Sequence, residues 1–437
     1  MPARHDVRHA RRLAARRLMT SVLTGGLAAL LTACPPTPGD GSAGPTNPPG
    51  PRLGGVTAMS PGGTGYSPRP MSADGRYVAY LRPEASTAGG NVLLWDSSTE
   101  TSRSLTSPVA NDTFDETAPT ISSDGSTAFF AASLAVAPGQ PGSLPLLVRY
   151  ATATGHHDVF APPIEVGVTN RGVNEIAASA DGSVVAVELG DRRWPSANHV
   201  VAVWTEAAGF ELITDPAPLA TREIWAYDLP GAAISEDGRY VVAVATIGDP
   251  LVGPVFRRLA LYDRTTRTWT TIADTDPIPG LRATRDHTPN VLAVLPDGSV
   301  IFDVTSLGFT GEHAASSGVA IWDPATQAIT QLVPTDTGAR GFSASPDGRF
   351  IGFTGSDLIT SVSPDSYGTP SVLDRVTGER TVAGGAPFTA PVAISATGRQ
   401  ILLSSTDTTV VGPNPPGSDG NSLFLWHRAI ATAAPAG

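Results

Sequence analysis

Apolar residues along this chain gather into short runs, and polar turn residues punctuate them at a regular interval. The stretch ASPDGRFIGFTG, residues 344 to 355, holds the pattern in full: an extended segment, a tight turn and a second extended segment. A proline at the second turn position has φ of about −65°, which excludes a mirror-image hairpin turn and suits a type I turn followed by a left-handed residue. Gly348 supplies that residue, and Ser345 and Asp347 carry short side chains able to bond nearby turn amides. The apolar run Phe350, Ile351, Gly352, Phe353 then resumes as strand.

The same corner recurs as SADGRYVAY from Ser72, SSDGSTAFF from Ser122, SADGSVVAV from Ser179, SEDGRYVVAV from Ser235, LPDGSVIFDV from Leu295 and a decayed SATGRQILL from Ser395. The turn glycines Gly75, Gly125, Gly182, Gly238, Gly298, Gly348 and Gly398 are spaced 50, 57, 56, 60, 50 and 50 residues apart. A second phrase follows each corner, a short apolar strand ending at Trp95, Tyr150, Trp204, Tyr262, Trp322, Leu373 or Trp426, and a polar turn then leads into another strand. Each unit reads as four strands, A to D. The B strands, such as YVVAVA and FIGF, are nearly continuously apolar, as expected where neighbouring sheets cover both faces. The aromatic residues at the ends of the C strands share one repeat position and read as core.

Length alone suggests about three domains, but the repeat overrides it. Stacked face to face, the units predict an all-β fold: one seven-bladed β-propeller of four-stranded antiparallel blades over residues 53–430, with residues 431–437 as a tail. After Trp426 there is little room for a fourth strand, and residues 53–59 parallel the D-strand segment of blade six. That parallel predicts that an N-terminal strand completes the last blade and closes the ring.

The first residues read differently. Six arginines lie between Arg4 and Arg17, an uncharged run follows from Leu18 to Ala33, and Cys34 is the only cysteine. The run is short for a membrane span of about 20 residues and fits a secretory signal over residues 1–33. Leu31, Thr32, Ala33 and Cys34 resemble a bacterial lipobox, which implies lipid attachment at Cys34 and a place in the cell envelope: periplasmic, on the outer membrane or on the cell surface. Residues 34–52, rich in Pro and Gly, read as a tether. Without the leader the chain carries a net charge of −16, which disfavours nucleic acid as a partner. All 29 basic residues are Arg. The absence of Lys excludes a Walker phosphate loop, a pyridoxal Schiff base and a Ser-x-x-Lys acylase, and a lone thiol excludes structural disulfides in the mature domain.

The repeated S-x-D-G-R corners, the aromatic-Asp strand after them and the period in the fifties resemble the WD40-like PD40 family of TolB-type propeller repeats. The resemblance covers about residues 53 to 428 and implies the propeller fold. It stops short of a Tol role, because the α/β domain those proteins carry ahead of the propeller has no counterpart here.

Candidate chemistry lies in the loops. The B-to-C loops, rich in Gly and Pro, and the charged D-to-A loops (NDTFDET, TNRGVNE, TREIWAYD, LRATRDHTPN, TGAR) are expected to meet at one mouth of the central channel. Positions eight before each turn glycine, among them Asn174, Pro230, Asn290 and Arg340, form a ring there, with Glu116, Glu175, Arg222, Arg285, Asp286 and His287 around it. Trp194 and Trp225 lie outside the aromatic register, in loops. The paired His156 and His157 fall in a C-to-D turn on the opposite rim, and no H-E-x-x-H or G-x-S-x-G occurs. The reading is a monomeric, lipid-anchored module that needs no cofactor and binds a protein or glycan partner of the envelope. A propeller-type polysaccharide lyase, with His287 beside a carboxylate, and a purely structural envelope lipoprotein are the alternatives.

Overall fold

The computed structural model of the chain describes residues 56–60, 69–83, 90–105, 119–135, 143–162, 172–190, 199–214, 224–247, 256–274, 290–305, 317–333, 339–355, 369–382, 390–405 and 422–428. Among them no helix is long and apolar enough to cross a membrane. They form seven antiparallel sheets, the blades of a β-propeller. Strand β1 (Val56–Ser60) comes first in the chain. Blade one holds β2 (Tyr77–Pro83), β3 (Gly90–Asp96) and β4 (Thr101–Ser104), with an isolated bridge Met71↔Val78 where its A strand would lie. Blade two holds β5 (Thr120–Ile121), β6 (Thr127–Ala135), β7 (Ser143–Ala151) and β8 (His157–Phe160). Blade three is β9 (Gly172–Ala178), β10 (Val184–Gly190), β11 (Val200–Thr205) and β12 (Gly209–Leu212). Blade four is β13 (Ile224–Asp228), β14 (Tyr240–Ile247), β15 (Phe256–Asp263) and β16 (Thr268–Asp274). Blade five is β17 (Val291–Val294), β18 (Val300–Thr305), β19 (Ser317–Asp323) and β20 (Ala328–Val333), and blade six is β21 (Arg340–Ala344), β22 (Phe350–Gly355), β23 (Thr369–Asp374) and β24 (Arg380–Val382). In the last sheet β25 (Ala390–Ile394), β26 (Gln400–Ser405) and β27 (Ser422–His427) are joined by β1, which pairs with β27 through Val56↔Trp426 and Thr57↔Leu425.

The corner is built as its residues dictate. At Ser345 the hydroxyl donates to Asp347 Oδ1 at 2.6 Å and accepts the Phe350 N–H at 2.9 Å, while Asp347 Oδ1 accepts the Arg349 N–H at 3.1 Å. Gly348, at φ 67, closes the turn by donating its N–H to the Ser345 carbonyl. The seventh corner, in which Thr397 replaces Asp, keeps the turn: Ser395 Oγ accepts the Gln400 N–H at 3.0 Å and meets Thr397 Oγ1 at 3.3 Å. An Arg after the glycine reaches the Asp that ends the same blade's C strand, in the pairs Arg76–Asp96, Arg239–Asp263 and Arg349–Asp374 at 2.7–3.0 Å. Nε–H and Nη2–H on one guanidinium edge each donate to a separate carboxylate oxygen in each pair, and each Arg stacks over the aromatic ring that follows it. Hydrogen bonds from Arg239 and Arg349 hold the Asp263 and Asp374 carboxyls down at about 2.

The blades pack as the B strands predict. Every residue of β10 is buried, and alternate residues serve different neighbours: Val185, Val187 and Leu189 face blade two, and Val184 and Ala186 face blade four. Outer strands such as β4 are exposed along their length. Trp95, Tyr150, Trp204, Tyr262, Trp322 and Trp426 are buried, as their shared register requires. Blade four departs from the sequence reading. TREIWAYD, read as a loop carrying Trp225, supplies the inner strand β13 from Ile224 onward. The chain then bulges through Gly231, at φ 77, to make parallel bridges Gly231↔Val291 and Ser235↔Val294 with blade five before reaching its corner. A leucine-proline-glycine turn after the strand thus carries the charged, aromatic segment into the sheet.

Two outcomes follow from these contacts. Removing residues 1–50 should leave the melting temperature unchanged, whereas removing residues 1–60 strips β1 from β27 and should cost several kcal/mol or cause aggregation, as in other exposed sheet edges. Equal melting temperatures for the two truncations would show that β1 contributes nothing. The Arg349–Asp374 pair should stabilise the fold fully above about pH 4 and progressively less as pH falls toward 2, since the folded carboxyl sits below its unfolded value of 3.8. In urea unfolding, the stability gap between wild type and Arg349→Gln should therefore close over that window; a gap that stays constant would refute the assignment.

Candidate functional site

The two rims of the propeller differ. Turn residues of the corner rim bond from blade to blade around the channel: the Ala396 N–H donates to the Ala73 carbonyl, Ala73 N–H to Ser123, Asp124 N–H to Ala180, and Ala180 N–H to Glu236, at 2.7–3.0 Å. Pro296 and Pro346 occupy the same position in blades five and six and have no N–H to give. Just inside this rim, buried Arg69 of blade one donates Nη1 to Glu236 Oε1 of blade four at 2.9 Å and to the Ala178 carbonyl of blade three at 3.4 Å. Ser123 of blade two donates to the same Glu236 oxygen at 2.8 Å. Blades one and four are not neighbours in a ring of seven, so this contact spans the channel. Burial depresses the Arg69 pKa, and the Glu236 carboxylate works against that shift.

Toward the other rim, the seam between blades three and four carries a polar cluster that the alternation of β10 produces. Glu188 follows Val184 and Ala186 on the face toward blade four, and it is buried. Its neighbour on the inner strand is set by a β-bulge: Val187 pairs with Ile176 and Leu189 with Val173, so Asn174 and Glu175 together stand opposite Glu188. Asn174 turns inward and donates Nδ2 to Glu188 Oε1 at 3.0 Å, while Glu175 is exposed. Glu188 Oε2 accepts the Leu229 N–H of blade four at 2.9 Å. His199, at the start of the C strand and wholly buried, places Nδ1 3.0 Å from Glu188 Oε1 and 3.3 Å from Asp228 Oδ1, and its carbonyl accepts the Tyr227 N–H of β13. Asp228 is partly exposed, at 28%. Burial opposes a charged imidazole here, but the hydrogen bonds to Asp228 and Glu188 prevail and raise the His199 pKa to about 10. The imidazolium therefore persists at neutral pH between two carboxylates.

Of the residues expected from sequence, Asn174 lies in this cluster, and Glu175 beside it faces outward. Arg340 opens β21, where only its backbone is described. Cys34, Glu116, Arg222, Arg285, Asp286 and His287, and with them Trp194, lie outside the described residues. His156 meets Asp158 at 3.2 Å and His157 bonds the Leu105 carbonyl, consistent with a structural turn. Glu188, His199 and Asp228 are absent from the sequence-derived set. One signal was available: Glu188 is the single charge in the apolar run VVAVELG, and a charge inside such a strand must find a partner.

No family model and no curated protein matches the chain. Solved structures that resemble it include an oligogalacturonate lyase from Vibrio parahaemolyticus, at a TM-score of 0.54 and 14% identity, covering 85% of this chain and 92% of that one. An oligogalacturonate lyase in complex with manganese aligns at a TM-score of 0.54 and 16% identity over 87% of this chain and 95% of that one. TolB from Acinetobacter baumannii aligns at a TM-score of 0.37 and 14% identity over 81% of this chain and 80% of its own. At such identities the likeness to the lyases establishes the propeller fold.

The seating of His199 makes one prediction. Its ring lies against Gly190 of β10, where an added Cβ would come within 2.0 Å of the imidazole Cδ2. Gly190→Ala should therefore displace the ring and lower stability by about 1–3 kcal/mol in chemical denaturation, and an unchanged midpoint would show that the ring is not held there.

Proposed function

We propose that this chain is a lipid-anchored, extracytoplasmic binding module, held at the membrane through Cys34, that takes a protein or glycan partner at the rim of its B-to-C and D-to-A loops. The reading is carried by what the corner rim already uses, set beside the charge that the sequence places in the loops at the other strand ends. At the corner rim the arginines are spent on aspartates of the same blade, and Arg69 and Glu236 bridge the channel beneath. The opposite strand ends launch the charged loop segments, with Arg285, Asp286, His287, Glu116 and Arg222 in the D-to-A loops and Arg340 at the head of β21. A ring of fixed strand ends presents such groups at little entropic cost, and a guanidinium grips a carboxylate with two parallel bonds. The lipobox-like LTAC before the Pro- and Gly-rich segment supports the anchor.

A second reading, a glycan-active enzyme of the lyase type, draws support from the imidazolium set between carboxylates in a fold shared with oligogalacturonate lyases. One preparation tests both. Wild type should fractionate with membranes and recover a partner from an envelope extract, and Cys34→Ser should appear in the soluble fraction or keep its leader. Arg285→Ala/Arg340→Ala should melt like wild type yet recover at most about a tenth of that partner, a loss expected for truncated arginine anchors. Undiminished capture by the double variant, or an unmodified Cys34 in the mature protein, overturns the proposal. Unsaturated uronide formed from oligogalacturonate would favour the enzyme instead.

A further inference from the structure

The cluster at the seam of blades three and four has more donor atoms than its hydrogen bonds employ. His199 Nδ1, Glu188 and Asp228 each offer one atom, and the three lie within 4.8 Å of one another. The two shorter separations, 3.0 and 3.3 Å, approach the edge of about 3.4 Å between ligands that sit about 2.1 Å from a tetrahedral metal ion. A fourth donor stands beside them. Asn174 is only 7% exposed, its Nδ2 is bonded to Glu188 Oε1, and its Oδ1 has no hydrogen-bond partner. Turning the amide over brings that oxygen to Glu188, among the other donors.

We propose that His199 Nδ1, Glu188 Oε1, Asp228 Oδ1 and Asn174 Oδ1 form a binding site for one divalent first-row transition cation, with Zn²⁺ the tightest-binding of the probes named below. The ligands are already oriented from behind: the Leu229 N–H holds Glu188 Oε2 at 2.9 Å, and the Tyr227 N–H holds the His199 carbonyl at 3.0 Å. Partly exposed Asp228 gives the ion its entry path. A bound ion would tie β9, β10 and the start of the C strand in blade three to β13 in blade four, adding to the Tyr227–His199 backbone hydrogen bond across the seam. The site stands whether or not the loop rim binds a partner.

The test uses the full chain, freed of metal with chelator and titrated calorimetrically with Zn²⁺ and then Mn²⁺. Wild type should take one Zn²⁺ per chain, with a rise in melting temperature, and bind Mn²⁺ more weakly. Asp228→Asn and Asn174→Ala should each weaken Zn²⁺ binding about tenfold or more. Cys34→Ser and His156→Ala/His157→Ala should leave it unchanged, separating this site from the chain's one thiol and from its paired histidines. Should Glu188→Gln fail to fold, anomalous scattering from a Zn²⁺-soaked crystal of wild type locates the ion directly. No stoichiometric binding by wild type, equal binding by the Asp228 and Asn174 variants, or an ion found elsewhere would each overturn the proposal.

Discussion

Each turn glycine lies against the blade before it, and the ring depends on that contact. A Cβ at Gly75 would meet Gln400 of blade seven at 2.7 Å, one at Gly125 would meet Tyr77 of blade one at 2.7 Å, and one at Gly238 would meet Val184 of blade three at 2.7 Å. Phe129, Tyr240, Ile301 and Phe350 play the same part against Gly182, Gly298, Gly348 and Gly398. The left-handed φ explains why glycine suits the turn, but this approach explains why the next blade can stack at all. Every corner is thus a local turn and an inter-blade joint together, and the residue just after a corner becomes the floor on which the following corner rests. The seam between blades seven and one obeys the same rule as the other six. Gln400 under Gly75, and the Ala396 N–H on the Ala73 carbonyl, join it apart from any contribution of β1.

That joint commits one rim to structure. Ser–Asp contacts and Arg–Asp pairs satisfy the corner's polar groups within a blade, and the chain of turn hydrogen bonds satisfies them between blades. Pro296 and Pro346 have no N–H to give toward blades six and seven, and at the seam of blades four and five the strand-like bridges Gly231↔Val291 and Ser235↔Val294 join the two sheets. Those contacts tie the blades together from the corner rim. An inserted or charged loop on the opposite rim costs little, because loop length enters the closure entropy only logarithmically.

The fold was legible because its determinants are local. Ser345, Asp347 and Gly348 fix a turn by chemistry within five residues, and seven copies at one period leave few architectures open. What sequence reading missed was set at longer range. Ile224–Asp228 was read as a loop because charged and aromatic residues flank a Pro-Gly turn, yet tertiary pairing with β14 makes it a strand. The candidate site divided in the same way. Asn174 was found by its place in the repeat, whereas His199 and Asp228 come together only because blade four leans on blade three, and no spacing in the sequence records which face of β10 Glu188 takes.

Glu188 also shows how a propeller tolerates a charge inside its wall. Asp303 of β18 meets the same problem in blade five: its carboxylate accepts the Asn290 N–H at 2.6 Å, and burial pushes its carboxyl up to about 6. Dehydration there is relieved by drawing the group toward its neutral form. Glu188 instead has Asn174, the Leu229 N–H and the His199 imidazolium gathered around it, and Asp228 stands across the ring nitrogen. A buried carboxylate can accept several hydrogen bonds, and three donors gather on Glu188. Four polar side chains from two blades are drawn to one point by a bulge and by a glycine that makes room for the imidazole. An apolar residue at 188 would have continued the alternation of Val184 and Ala186 without any of them, so one charge placed in the wall fixes the identity of three further positions on two blades, since removing any partner would leave a buried charge uncompensated.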